Sequence, residues 1–444
     1  MIRLTIPRKA AQILRRLTDA GYEAYVVGGC VRDSLLGRTP GDWDITTSAL
    51  PSEVKAVFSR TIDTGIEHGT VTVRLGGESF EVTTFRVDGK YSDSRHPDSV
   101  RFTPSLSEDL RRRDFTVNAM AYHPQTGLID LFGGLDDLEK GIIRAVGDPF
   151  ERFEEDSLRI LRAVRFAAQL GFTVEEETLR AVSHFAPRLS LVSRERIQTE
   201  LTKLLVSDHP DRFRLLYETG ITAAHFPLFD RMMALPQNSP FHSLSVGEHT
   251  LAVLCAAEPD RILRLAALLH DTGKVAAHTV DETGRDHFKG HNLISAQIAE
   301  TFLRELRFDN RTIELVTALC RIHDDRFAPT PAGVRKAIHR YGEELFSYYL
   351  RFIRVDNLAK SEFARAEFAP RYEALLASVA EVRKAGDCLS LKDLAVTGAD
   401  LKAAGMKPGP AMGMILNAML EEVLEEPEHN TKEYLLGHLE EFSE

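Results

Sequence analysis

At 444 residues the chain is too long for one ordinary core and suits about two to four domains, while 43% hydrophobic and 27% charged residues describe a globular protein and exclude global disorder. A formal net charge of −11 argues against sequence-blind coating of nucleic acid without excluding a local positive groove. No apolar run approaches the roughly 20 residues that span a bilayer, no leader pattern heads the chain, and Cys30, Cys255, Cys320 and Cys388 form no C-x-x-C pair. The expectation is a cytoplasmic protein without a membrane anchor, disulfide framework or zinc knuckle.

Residues 1 to about 145 read as mixed α and β. IPRKAAQILRRLTDAG has helical spacing and stops at Gly21; YEAYVVGG reads as a strand entering a glycine turn; SALPSEVKAVF reads as a loop and a helix. GTVTVRL and SFEVTTFR read as strands of a hairpin turned at Gly76 and Gly77. The result is a small sheet with helices packed on it.

The informative stretch is VVGGCVRDSLLGRTPGDWDITTSA. Gly28 and Gly29 lie between strand and helix, where absent side chains let a phosphate chain approach backbone N–H groups and a helix N-terminus. Asp42 and Asp44 alternate across Trp43, so on an extended strand both carboxylates point to one face. Such oxygens are hard ligands suited to Mg2+, and two ions sharing them suit nucleotidyl transfer, with Glu81 in FEVTTF as candidate third carboxylate. Arg32 is a candidate triphosphate contact, and Asp33 either that or a loop brace.

From about 150 the pattern becomes helical. DSLRILRAVRFAAQLGF and VSRERIQTELTKLL read as amphipathic helices, the second capped at Ser193, followed by a surface stretch around PLFDRMMALPQNSPFHS. Arginines cluster at 111–113, at 152, 159, 162 and 165, and at 188, 194 and 196, enough for one positive surface. In FEEDSLRILRAVRF, Asp156 and Arg159 are three apart on the expected helix and share a face. A carboxylate acceptor beside an arginine donor matches the pairing edge of cytosine or adenine; a surface ion pair is the plainer alternative. Arg162 is placed to flank the base.

Together Gly28, Gly29, Arg32, Asp33, Asp42 and Asp44 resemble the catalytic signature of the DNA polymerase beta superfamily, specifically the class II tRNA nucleotidyltransferase and bacterial poly(A) polymerase family. RRDFTVNAMAY, with Arg113, Asp114 and Asn118, resembles that family's second motif, and FGGLDDLEKGIIRAVGDP, with Asp130, Gly133 and Gly134, follows its pattern. The resemblance implies triphosphate and ribose contacts at Arg113 and Asp114, although an ion pair with neighbouring arginines would also explain Asp114. It makes Glu155, Asp156 and Arg159 the nucleotide-recognition motif and Glu195, Arg196 and Glu200 its helical support.

Further on, GEHTLAVL, LAALLHDTGK, HFKGHNLISA and VDNLAKS resemble the HD-domain phosphohydrolase superfamily. That resemblance implies a divalent metal on His249, His270, Asp271 and Asp356, with His291 and His323 as second-metal or phosphate groups and Lys274 near phosphate; His287 and Asp324 are weaker candidates. Phosphatase or phosphodiesterase activity on 2′,3′-cyclic phosphate or damaged RNA ends is implied only through related tRNA enzymes. The alternative is a retained metal-binding or packing module. LAVTGADLKAAGMKPGPAMGMILNAMLEEVLEEPEHNTKEYL resembles the RNA-binding body and tail of that tRNA enzyme family, with a loop at MKPGP and Lys407 and Gly409 as phosphate contacts.

The expected architecture is multidomain α+β: a polymerase-beta-like nucleotidyltransferase head with a small mixed sheet (1–145), then an all-helical neck (146–235), HD domain (236–360) and body and tail (361–444). The implied activity is template-independent addition of CMP and AMP from CTP and ATP to the tRNA 3′ end, giving CCA. Relatives adding only CC, only A or poly(A) remain open, as does a tRNA-binding protein with phosphohydrolase activity alone. The expected partners are tRNA, CTP and ATP, with no DNA or membrane; a homo-oligomer stays open.

Overall fold

Helix α1 (Arg8–Asp19) buries Ala10, Ile13, Leu14 and Leu17 along one face and stops before Gly21, whose φ of +91° favours glycine. The computed structural model describes residues 2–89 and 100–443. The first apolar run is β1 (Ala24–Val27), followed by β2 (Ile45–Thr47), β3 (Thr61–Gly65), β4 (Thr70–Leu75) and β5 (Glu78–Thr84). β6 (Arg86–Asp88) pairs with β7 (Val100–Phe102), and β8 (Met120–His123) with β9 (Gly127–Asp130). One mixed sheet runs β3-β4-β5-β2-β1-β8-β9. The expected hairpin is β4–β5, with Gly76 and Gly77 at φ +59° and +84° making its two-residue turn. β2 is antiparallel to β1 but parallel to β5, with Ile45 opposite Val82, so residue 44 stands beside residue 81.

The head's helices are α2 (Gly29–Leu35), α3 (Pro51–Val57), α4 (Leu106–Arg111) and α5 (Gly134–Lys140). α6 (Pro149–Glu155), α7 (Leu158–Leu170), α8 (Glu176–Phe185) and α9 (Arg194–Leu205) follow, then the short α10 (Arg214–Glu218), α11 (Ile221–His225) and α12 (Pro227–Ala234). Ser193 does occupy the N-cap of α9, but its side chain makes no cap hydrogen bond. The expected surface stretch at PLFDRMMA is instead α12, with Phe229 and Met232 fully buried: the proline opens a helix whose apolar residues fall on one face.

Residues Met1–Asp230 form one compact unit and Arg231–Glu444 another. The second contains α13 (Val246–Ala256), α14 (Arg261–Leu269), α15 (Lys274–Ala277), α16 (His291–Glu305), α17 (Asn310–Ile322), α18 (Pro331–Tyr341), α19 (Glu343–Leu358) and α20 (Glu362–Ala385). It closes with α21 (Gly398–Ala403), α22 (Pro410–Glu425) and α23 (Lys432–Gly437), packed around Leu401, Met419, Val423 and Leu435. Buried Arg335 of α18 ties this end down, donating to the Leu424 and Glu425 carbonyls at 2.7 and 2.6 Å and pairing with Asp387 at 3.0 Å. No helix among the described residues is long and apolar enough to cross a membrane.

One close approach braces the loop that bears the expected second motif. A Cβ at Gly134 would stand 2.3 Å from the Thr116 carbonyl oxygen, while Thr116 Oγ1 donates to Asp137 at 2.7 Å. Gly134→Ala should therefore cost about 2 kcal/mol, read as a lowered thermal midpoint; an unchanged midpoint would show that the loop yields freely.

Candidate active site

Asp42 and Asp44 lie just before β2 rather than within it, a difference from the strand expected. The backbone is nonetheless tied to the sheet at residue 44, since Val27 N–H donates to the Asp44 carbonyl at 3.0 Å. The parallel β2–β5 register brings Glu81 to the same place. Asp44 is half-buried, Asp42 and Glu81 exposed. Burial, then the charges of Asp42 and Glu81, push the Asp44 carboxyl up to about 6 against the opposing pull of Arg113. Three carboxylates with too little compensating positive charge form a site that a divalent cation would relieve.

Arg113 stands over this site by way of a glycine. Gly28 has φ +79°, its N–H donates to the Met120 carbonyl at 3.2 Å, and a Cβ there would meet Arg113 Nη1 at 3.0 Å. The room expected for phosphate at Gly28 is thus filled by an arginine, and Gly28 N–H is already spent. Asp109, fully buried on α4, is the anchor beneath: its Oδ1 accepts from Arg112 at 2.7 Å and its Oδ2 lies 3.6 Å from Arg113. Sequence reasoning missed Asp109, although its i,i+3 and i,i+4 spacing to two arginines was a usable signal.

Arg32, expected at the triphosphate, is held by its own neighbours. It donates to Asp33 at 2.8 Å and to Asn118 at 2.6 Å, so Asp33 braces a side chain rather than the loop backbone. Asp130 accepts from the N–H groups of Phe132, Gly134 and Leu135 and so shapes the glycine turn. Asp114 is buried and fully engaged. Oδ1 accepts from Phe115 N–H at 2.8 Å and Asn118 at 3.2 Å, and Oδ2 accepts from Arg162 Nε and Nη2 at 2.8 and 2.5 Å. Those four bonds use the roughly four acceptor positions of a carboxylate. Burial would raise its pKa, but the charge and hydrogen bonds of Arg162, then Asn118 and Arg159, outweigh it and hold the group well below the carboxylate range. The ion pair foreseen as an alternative exists, with Arg162 as partner, and Arg162 is thereby withdrawn from the free base-flanking position expected of it.

Asp156 and Arg159 do not share a helical face. Asp156 sits in the break after α6 and Arg159 in the first turn of α7, because the Asp156 carboxylate caps that turn, accepting from Leu158 N–H at 3.0 Å. Arg196 donates to the other Asp156 oxygen at 2.8 Å. Arg159 donates to Glu155 at 2.7 Å and to the Arg152 and Arg112 carbonyls at 3.0 and 2.9 Å. About two acceptor positions on Asp156 and two N–H groups on Arg159 are left over. Glu200 pairs with Arg165 at 2.6 Å, bracing α7 against α9.

The second unit gathers the histidine and aspartate residues. His270 caps the end of α14 and Asp271 follows it; His249 comes from α13, His291 from α16, His323 from the end of α17 and Asp356 from α19. Two buried clusters share Asp271: His249, His270 and Asp271, and Asp271, His291 and His323. Asp271 Oδ2 lies 3.2 Å from His270 Nε2 and 3.7 Å from His249 Nε2, while Oδ1 lies 3.3 Å from His291 Nε2 and 3.8 Å from His323 Nε2. Asp356 is 3.0 Å from His249. His270 Nε2 and Asp271 Oδ2 are buried without a hydrogen bond; Lys274 Nζ approaches that oxygen to 2.8 Å as an ion pair, outside hydrogen-bonding geometry. Burial lowers His249, and lowers His323 to about 4. Asp271 and Asp356 are held well below the carboxylate range, burial being outweighed by His270 and Lys274 for the first and by Lys360 and His249 for the second. Burial thus keeps His249 and His323 from protonating beside ionised carboxylates, while at His270 the charges of Asp271 and Asp356 outweigh burial and raise it, so a divalent metal there would displace a proton.

Lys274 lies beside Asp271, steadied by Gln237 at 2.8 Å, and Asp324 lies 3.4 Å from His291. His287 does not join the cluster: it is exposed and bound to Asp281 at 2.7 Å. Lys360, one turn after Asp356, pairs with it at 2.6 Å and is a member that sequence reasoning did not single out. A cavity of about 580 Å3, with His323, Asp324, Asp356 and Lys360 in its wall, opens from the cluster.

Three family models match in order: the poly A polymerase head domain at residues 24–144, the "Probable RNA and SrmB-binding site of polymerase A" at 171–233, and tRNA nucleotidyltransferase domain 2 at 292–439. The last crosses the division expected at residue 360. The CCA-adding enzyme of Lacticaseibacillus paracasei is 37% identical over 424 residues, 94% of this chain and 92% of that protein. That of Lactobacillus helveticus is 36% identical over 437 residues, 97% and 96% of the two chains. The Bacillus stearothermophilus CCA-adding enzyme, solved in complex with CTP, is similar with a TM-score of 0.74 at 34% identity over 98% of each chain. The Thermotoga maritima CCA-adding enzyme complexed with tRNA shares the fold, with a TM-score of 0.60 at 22% identity over 99% of this chain and 97% of that one.

Because burial and the charges of Asp42 and Glu81 push Asp44 up to about 6, protons would compete there with a metal. Below pH 6 the Mn2+ affinity of the head should fall by about tenfold per pH unit, measured as the part of Mn2+ binding that Asp44→Asn removes; a flat profile from pH 5 to 7 would contradict the site.

Proposed function

The chain belongs to the family of CCA-adding enzymes, and on that premise we propose how its own residues carry the reaction. It is a template-independent tRNA nucleotidyltransferase that uses CTP, ATP and a divalent metal to complete the tRNA 3′ end as CCA. This favours full CCA addition over the CC-only, A-only and poly(A) alternatives. Asp42 and Asp44 hold the metal, with Glu81 as third carboxylate, and Mg2+ is the ion assigned, since carboxylate oxygens alone form the set. When bound, such ions activate the 3′ hydroxyl and offset charge on the leaving pyrophosphate. Arg113, set against the Gly28 backbone, faces the triphosphate. Asp114 positions Arg162; a ribose 2′ hydroxyl reaches it only by taking one of the four acceptor positions already in use.

Asp156 and Arg159 read the base. The two open acceptor positions and two open N–H groups supply an edge for cytosine or adenine, while Arg196 and Glu155 keep both side chains still before nucleotide arrives. The observation that carries the assignment is the crowding of Asp42, Asp44 and Glu81 around one point. Asp42→Ala should lower tRNA addition by about a thousandfold, the worth of several kcal/mol of charge stabilisation, with the thermal midpoint kept; normal incorporation would remove the metal role. In Asp156→Ala and Arg159→Ala, preference for CTP and ATP over UTP and GTP should drop by about 10- to 100-fold. Unchanged preference in both would refute the base-reading role.

The shared carboxylate of the second unit favours a second reading, a metal-dependent phosphohydrolase with His249, His270, Asp271 and Asp356 at one ion and His291 and His323 at the other. The unsatisfied His270 Nε2 and the adjoining cavity support it. Asp271→Asn should lose both bound metal, read by elemental analysis, and divalent-dependent hydrolysis of p-nitrophenyl phosphate. Full metal content in that variant would eliminate the shared site.

A further inference from the structure

At the outer edge of the head's sheet, three arginines from distant points of the sequence meet around a cavity of about 360 Å3: Arg16 on α1, Arg60 just before β3 and Arg74 on β4, with Phe58 as an apolar wall. All three are exposed. Arg60 and Arg74 face one another across the antiparallel ladder, since Thr61 is in register with Val73 and Arg74 N–H donates to the Arg60 carbonyl at 2.9 Å. Like charges in facing positions weaken a sheet.

A purely structural role would bring carboxylates to these guanidinium groups, and none lines the cavity. The acids on the surrounding elements are engaged by other cations: Asp19 by Arg15 at 3.5 Å, Glu78 by Lys9 at 2.7 Å and Asp63 by Lys55 at 3.0 Å. Among the described residues no ion pair or side-chain hydrogen bond engages Arg16, Arg60 or Arg74; the Arg16 guanidinium only lies 5.9 Å from the Phe58 ring centroid. In a chain of net charge −11, three exposed arginines without an acidic partner around one cavity offer planar donors to phosphate oxygens.

We propose that this pocket receives backbone phosphates of the tRNA and so holds the RNA on the head, apart from the nucleotide itself. Arg74 stands two residues along β4 from Thr72, the partner of Glu81, which is about 7 Å of strand. A phosphate held there belongs to a strand whose 3′ end lies near the carboxylates. Contacts of this type position an RNA without reading its sequence.

The test uses the full chain and tRNA lacking its last three nucleotides, with binding followed across a KCl series. The triple variant Arg16→Gln, Arg60→Gln, Arg74→Gln should raise the tRNA Kd by about tenfold at low salt and reduce the slope of log affinity against log salt by about two. The KM for CTP and the kcat at saturating tRNA should stay at parental values. The corresponding triple lysine variant should keep the parental slope. Should the triple glutamine variant not fold, Arg74→Thr carries the same test: its thermal midpoint should equal or exceed that of the parent, because a facing like charge is gone, and its slope should shrink by about one. Unchanged tRNA affinity and slope would overturn the proposal. So would a change confined to the KM for CTP, which places the arginines at the triphosphate, or one confined to tripolyphosphate affinity, which makes the pocket a site for free oligophosphate.

Discussion

The parallel pairing of β2 with β5 is the constraint on which the catalytic half depends. An otherwise antiparallel neighbourhood turns parallel at this pair, and that sets the segment bearing Asp42 and Asp44 beside Glu81, thirty-seven positions away in the chain. The cost is visible in Asp44, whose ionisation is opposed by burial and two neighbouring carboxylates. A divalent cation between these carboxylates would relieve that repulsion. Around them the head is tightly braced: Arg113 is pressed against a glycine backbone, Asp109 anchors the arginines from below, and the Thr116–Asn118 turn is locked by Gly134 and Asp137.

The junction between the sheet and α7 uses the opposite strategy. Asp114, Arg162, Glu200 and Arg165 form a chain of pairs in which positive and negative groups alternate, so the sheet-bearing part and α7 are joined through charge that is already neutralised. Asp156 and Arg159 hang from this frame with part of their hydrogen-bonding capacity used and part open. Prior engagement narrows the orientations in which the open groups can be presented.

Elements whose causes are local were legible from the residues. The α1 stop at Gly21, the Gly76–Gly77 hairpin and the α9 boundary at Ser193 all follow from periodicity and turn chemistry. Glu81 could be named as a candidate but its register with Asp44 could not, because a parallel partner is chosen by the whole sheet. The same applies to Asp114. Three arginines precede or adjoin it in sequence, yet its partner is Arg162, forty-eight residues on, which only the packing of α7 could reveal. Asp156 and Arg159 looked like one helical face because their spacing fits one; the carboxylate instead ends one helix and caps the next, a competition that spacing alone does not register. At PLFDRMMA the proline read as a loop signal, whereas it opens α12, and the burial of Phe229 and Met232 decides the outcome.

The two carboxylate clusters differ in electrostatic sense. In the head, negative charge exceeds the local compensation, and burial with the charges of Asp42 and Glu81 pushes Asp44 upward. In the second unit, Asp271 and Asp356 are surrounded by His249, His270, Lys274 and Lys360 and pushed downward, so their charge is present without any ion and the histidines shape the cavity around it. The histidines there are not alike: burial keeps His249 and His323 from protonating, whereas Asp271 and Asp356 raise His270 against its burial. One chain thus holds two carboxylate clusters of opposite electrostatic sense, and the difference lies in the partners of Asp44 on one side and of Asp271 and Asp356 on the other.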